Sequence, residues 1–138
     1  LGMNLDFVQD NISRSSRNVL RGMHFQRNYP QGKIVKASRG EILDVIVDLR
    51  KDSPTYGTWE SFKLSEQNKL QVWIPPGLAH GFLVMSDSAD FEYKCTEYYH
   101  PEDEHCLMWN DPEVKIDWPT NDPILSEKDK KGLSLKDL

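Results

Sequence analysis

Apolar and polar residues alternate along this chain over stretches too short for helices. Runs rich in Val, Ile, Phe, Tyr and Trp predict strands at 6–9, 19–25, 33–37, 42–49, 58–64, 70–74, 80–85 and 90–99. Between them lie clusters suited to chain reversal, among them Tyr29-Pro30-Gln31-Gly32, Arg39-Gly40 and Pro75-Pro76-Gly77. The alternation is plainest at 90–96. There Phe91, Tyr93 and Cys95 share one face and Asp90, Glu92, Lys94 and Thr96 the other, which gives a strand with one wet side. Many short strands at regular spacing predict an all-β fold, an antiparallel sandwich or barrel with the jelly roll among them. One short C-terminal helix is expected, with Ser126 as its cap, Asp129 completing a capping-box variant, and Gly132 stopping it after Lys130 and Lys131.

Length and charge narrow the function. A chain of 138 residues with no Gly/Ser linker and no internal repeat fits a single domain, 1–138, with one core. Seventeen basic against 22 acidic residues leave a net charge of -5, and no basic run tracks a phosphate backbone, so a nucleic acid polymer is not an expected partner. No apolar stretch approaches the roughly 20 residues of a membrane helix. Neither a basic n-region nor an apolar h-region opens the sequence. Two cysteines, Cys95 and Cys106, make a poor disulfide framework, and a reducing cytoplasm is expected. The sequence begins at Leu1 with Met3 as its first methionine, which suggests that the natural start lies upstream.

Two histidine motifs stand out. In Arg21-Gly22-Met23-His24-Phe25-Gln26 a straight strand would set Arg21 and His24 on opposite faces, and Gly22 offers a bulge that relieves this. In Pro75-Pro76-Gly77-Leu78-Ala79-His80-Gly81 the prolines fix a tight turn, and His80 opens the next strand beside a small neighbour. P-x-G-x-x-H is the second motif of cupin jelly rolls, where the His points into the barrel mouth. Metal cupins add an H-x-H and a Glu, but His24 is followed by Phe25 and Gln26, while His100 and His105 sit in a polar, solvated loop. No metal and no cofactor is expected.

What remains is acid/base chemistry. His24 and His80 are candidate bases, Tyr93, Tyr98 or Tyr99 candidate acids, Lys33 an electrophile and Asp129 an orienter. Each also has a purely structural reading. Tyr93 could pack inward, Lys33 could be a solvated turn lysine, and Asp129 could cap or pair with Lys130 or Lys131. Cys95 reads as a small buried apolar residue and Cys106 as a loop residue, without a dyad spacing that argues for a nucleophile.

The segments V-L-R-G-M-H-F-Q, Q-G-K-I-V, G-E-I-L-D-V-I-V-D-L-R, S-P-T-Y-G-x-W, W-I-P-P-G-L-A-H-G-F, Y-K-C-T-E-Y-Y, W-N-D-P, I-D-W-P and L-S-E-K-D, taken in order, resemble the dTDP-4-dehydrorhamnose 3,5-epimerase family. The resemblance runs from about Leu5 to Asp129. It implies a cofactor-free, usually homodimeric epimerase on a cupin-like jelly roll, acting on a 4-keto-6-deoxyhexose in the pathway to dTDP-L-rhamnose. A relative that inverts one carbon only, and a non-catalytic sugar-nucleotide binding domain, are the alternatives.

By motif position the resemblance makes His24 the general base, Tyr93 the general acid and Asp129 the carboxylate paired with the base. Lys33 and His80 would hold the sugar near its ketone. Gln9, Asp10, Asn11, Arg21, Glu104 and Lys128 would contact nucleotide or diphosphate, with Tyr98 beside the thymine end. The family also carries an N-terminal segment that supplies an Arg and a Glu to nucleotide binding and helps form the dimer. The present sequence starts after it.

Overall fold

In a computed structural model, which describes residues 2–138, strands β1 (Gln9–Ser16), β2 (Leu20–Gln26), β3 (Lys33–Arg39), β4 (Glu41–Asp48), β5 (Trp59–Ser65), β6 (Gln71–Ile74), β7 (Leu78–Val84), β8 (Ser88–Cys95) and β9 (Glu104–Cys106) form two sheets. One is four-stranded with order β1-β8-β3-β6, the other five-stranded with order β5-β4-β7-β2-β9. All of their pairings are antiparallel. This is the all-β, cupin-like jelly roll expected from the sequence.

Two layers of core explain the hydrophobic pattern. Between the sheets, Val35, Ala37, Ile42, Leu64, Ile74, Phe82, Val84 and Phe91 pack together. On the far side of the five-stranded sheet, Leu20, Met23, Val45, Val47, Ala79 and Leu83 are covered by Leu107, Val114, Trp118 and Leu135 of the C-terminal tail. Strands β4 and β7 are thus buried on both faces, and they read as continuous apolar runs instead of alternating ones. Strand β8, by contrast, buries Phe91 and Cys95 and leaves Lys94 exposed, as its alternation predicts.

Four expectations need correction. The predicted strand at 6–9 is instead β1, Gln9–Ser16, paired with β8 along its length; its polar residues hid it because its inner face lines a polar cavity. The last predicted strand stops at Cys95 and does not run to 99. The C-terminal helix is only a single 3-10 turn, Asp129–Lys131, because Leu133 leaves it to form a bridge with Leu107. Ser126 does accept the Asp129 N–H at 3.1 Å, so the chain reverses where the cap was expected without building a helix. Finally, His105 and Cys106 belong to β9 and are not loop residues, whereas His100 stays in the loop and stacks on Tyr29 at 3.9 Å between centroids.

Candidate active site

The bulge anticipated at Gly22 positions the site. Arg21 pairs with Phe82 and His24 with His80, so Gly22 and Met23 of β2 lie against Gly81 alone of β7. Phe82 and His80 share the inner face of β7, so Arg21 and His24 both turn inward. Gly22 has φ +130°, a left-handed region suited to glycine, and a Cβ there would lie 2.7 Å from the Gly81 Cα. Two glycines in contact therefore let β2 bulge against β7.

Strand register lays out the rest. Across the five-stranded sheet Ile46, His80, His24 and Cys106 form one row. Across the four-stranded sheet Val35, Tyr93 and Asn11 form another. Between the rows lies a cavity of about 470 Å³ whose walls include His24, Lys33, His80, Tyr93 and Asp129, with Gln9, Asn11, Arg21, Glu104 and Lys128 around them. A second cavity of about 440 Å³, lined by Phe25, Leu49, Tyr56 and Leu135, has no histidine, aspartate or glutamate on its walls.

Two His–Asp pairs face this space. His24 Nε2 lies 2.6 Å from Asp129 Oδ1, and the other carboxylate oxygen accepts the Gly22 N–H at 3.2 Å. Burial pushes the Asp129 carboxyl up, but the hydrogen bond and charge of His24 and the Gly22 N–H outweigh it and hold its pKa below the ordinary value. An ionised Asp129 accepts the Nε2 proton, which leaves the free lone pair of a neutral His24 on Nδ1. The His24 side chain is 28% exposed, enough for a ligand to reach it, while Asp129 is buried at 3%.

His80 is the third residue of β7, buried, with Nε2 2.6 Å from Asp44 Oδ1. Asp44 is fully buried, and its Oδ2 has no hydrogen-bond partner among the described residues. Burial holds the His80 pKa down against the pull of Asp44. The sequence reading missed Asp44. Its signal was a carboxylate inside Ile42-Leu43-Asp44-Val45-Ile46-Val47, where only a buried partner could satisfy it.

Opposite them, burial pushes the Tyr93 phenol above its usual value, so it is a proton donor at neutral pH. Lys33 Nζ sits 5.6 Å from the Tyr93 ring centroid, and burial pushes its pKa down against the opposing pull of Cys95 and Asp44. At the rim Lys128 pairs with Glu104 and reaches the Tyr99 hydroxyl at 3.5 Å. Gln9 accepts the Tyr99 N–H at 2.9 Å and donates to Asn11 at 3.1 Å. Arg21 donates to Ser15 at 3.2 Å, which leaves the rest of its guanidinium fork free of any ion pair among the described residues. Two expected residues stand apart from the cavity. Asp10 points outward to Lys94 at 3.0 Å, and Tyr98 is exposed while its neighbour Tyr99 takes the place on the wall.

The cavity thus brings together an imidazole paired with a carboxylate, a phenol on the facing wall and the Lys33 amine, with Arg21 and Lys128 at the rim. The profile of the dTDP-4-dehydrorhamnose 3,5-epimerase family matches residues 1–137. The chain is 56% identical to the dTDP-4-dehydrorhamnose 3,5-epimerase of Pseudomonas aeruginosa, covering 99% of this chain and 76% of that one. It is 54% identical to the Escherichia coli enzyme of the same name, covering all of this chain and 76% of that one. It superposes with a TM-score of 0.95 and 51% identity on a Legionella pneumophila dTDP-6-deoxy-D-glucose-3,5-epimerase solved with dTDP-4-keto-L-rhamnose, covering 98% of this chain and 72% of that one. The chain therefore belongs to the dTDP-4-dehydrorhamnose 3,5-epimerase family.

Proposed function

We propose that this protein inverts both carbons flanking the ketone of dTDP-4-dehydro-6-deoxy-D-glucose, giving dTDP-4-dehydro-L-rhamnose for dTDP-L-rhamnose synthesis. The observation that carries this reading is the His24–Asp129 pair on one wall of the cavity with protonated Tyr93 on the other.

Both inverted carbons neighbour the same carbonyl, so removing either proton puts negative charge on one oxygen, and one stabilising site serves both steps. His24 Nδ1 takes the proton. Asp129 fixes the tautomer and stabilises the imidazolium that forms. Lys33, with His80 held by Asp44, opposes the charge developing on the keto oxygen. Tyr93 returns a proton from the opposite face, which converts exchange into inversion. Arg21 offers a planar fork to the diphosphate and Lys128 a point charge, oriented by Glu104, while Gln9 and Asn11 supply amides to the nucleotide side.

The reading includes a single epimerase domain working as a homodimer in the cytoplasm. The family resemblance supports the dimer, and among the described residues no helix is long and apolar enough to cross a membrane. The test is His24→Ala followed by solvent deuterium uptake into the substrate. Loss of uptake at both carbons is expected, and undiminished uptake at either sinks the assignment of the base.

A further inference from the structure

We propose that His24, Cys106 and Asp129 together form a binding site for a thiophilic divalent cation such as Zn²⁺, and that the bound cation switches off the base. The inhibitory half of this inference rests on His24 being the base. The binding half does not.

Cys106 is the direct cross-strand partner of His24 in the β2–β9 pairing. Residues opposite one another in an antiparallel pair present their side chains on the same face. The Cys106 Sγ lies 3.8 Å from Asp129 Oδ1 and 3.4 Å from the Gly22 carbonyl oxygen. One imidazole nitrogen, one sulfur and one carboxylate oxygen thus converge within 4.8 Å of one another. Tetrahedral zinc, with bonds of about 2.3 Å to sulfur and about 2.0–2.2 Å to nitrogen and oxygen, needs its donors roughly 3.3–3.8 Å apart. The Sγ–Oδ1 separation already meets that requirement. The His24–Asp129 contact, 2.6 Å across the shared proton, has to widen by less than an ångström, roughly, once the cation replaces that proton.

Charge favours the exchange. A thiolate, a carboxylate and a neutral imidazole give a divalent ion a neutral complex, whereas the carboxylate alone leaves the cluster at net -1. Metal binding releases the thiol proton to solvent. It also places the cation on Nε2, and the single proton of the neutral ring then resides on Nδ1. That is the nitrogen assigned to abstract the substrate proton, and protonated it has no lone pair to do so. The cation therefore removes the base without occupying the nucleotide side of the cavity. The kinetic signature is a fall in kcat with KM unchanged.

Co²⁺, added to metal-free protein with no nucleotide present, is the direct probe. Tetrahedral thiolate ligation gives a sulfur-to-cobalt charge-transfer band, which Cys106→Ser and Cys106→Ala both abolish and Cys95→Ser preserves. Zn²⁺ bleaches the band, and it slows deuterium uptake into the substrate reversibly with EDTA. Cys106→Ser raises the half-inhibitory Zn²⁺ concentration on the order of tenfold or more. Absence of the band in the unmodified protein at millimolar Co²⁺ overturns the site and needs no variant. Persistence of the band in Cys106→Ser overturns it as well. A Cys106-dependent band without any slowing of uptake upholds the site and overturns His24 as the base.

Discussion

His24 and Tyr93 line one cavity from opposite sheets, His24 on β2 of the five-stranded sheet and Tyr93 on β8 of the four-stranded sheet. A flat enolate held between them is open to a base on one side and an acid on the other. Inversion needs that arrangement, and simple exchange does not.

Tyr93→Phe separates the two outcomes. Deuterium uptake from solvent continues, because His24 both removes and returns the proton on its own face, while formation of inverted product falls by about 10²–10⁴-fold. NMR of the product stereochemistry checks this. Equal loss of uptake and inversion would place Tyr93 outside the role of facing acid.

Asp129→Asn keeps the size of the side chain but lets an amide donate to Nε2. That favours the tautomer with its proton on Nδ1, and kcat drops on the order of 10²–10⁴-fold with little change in KM. Steady-state kinetics decide, and an unchanged kcat removes Asp129 from the mechanism.

Lys33 carries a pKa held below the 10.5 of an ordinary lysine, chiefly by burial. It loses its charge as pH rises through that lowered value, so the alkaline limb of the rate profile begins below 10.5. Lys33→Arg keeps the cation and moves the limb upward at some cost in rate. A limb that does not move assigns the titration to another group.

Stability should fall on mild acidification. The folded pKa of His80 is depressed below 6.5, so the unfolded chain binds the extra proton first, and the contribution present above 6.5 is lost as pH falls below it. Asp129 adds a separate loss in a lower window, as pH falls past the ordinary carboxylate value of 3.8 through its lowered folded one. Urea midpoints measured across the first window should flatten in His80→Asn. An equally steep slope in that variant refutes the assignment.

Gly81→Ala probes the scaffold without touching an ionisable group. Its Cβ would sit 2.5 Å from the Arg21 carbonyl oxygen and 2.7 Å from Met23 Sδ, so the β2 bulge has to move. A loss of about 1–3 kcal/mol in unfolding free energy is expected, with a lower kcat because His24 rides on the displaced segment. Full activity and stability would show that the bulge tolerates crowding.

The legible parts of the sequence were those where one physical pattern dominates. The alternation in β8 and the turn clusters gave the sheets, and the odd spacing of Arg21 and His24 around Gly22 pointed to the bulge that brings both inward. Motif resemblance supplied the candidate roles of His24, Tyr93 and Asp129. What stayed hidden needed tertiary knowledge. Strand β1 looks like a polar loop because its inward side chains, Gln9 and Asn11, face a wet cavity and not a core. Asp44 disappears into an apolar run because its partner His80 lies on another strand. The tail around Asp129 carries helix punctuation, yet Leu133 must bridge to Leu107, and cross-chain pairing there overrides local propensity.

The two members of the His24–Asp129 pair are 105 residues apart in sequence. A chain emerging from the ribosome presents the strands of both sheets well before it presents Asp129. In the proposed mechanism the partner of the base is therefore made after every strand of both sheets. A product cut short of that position keeps His24 and Tyr93 but has no carboxylate to set the tautomer.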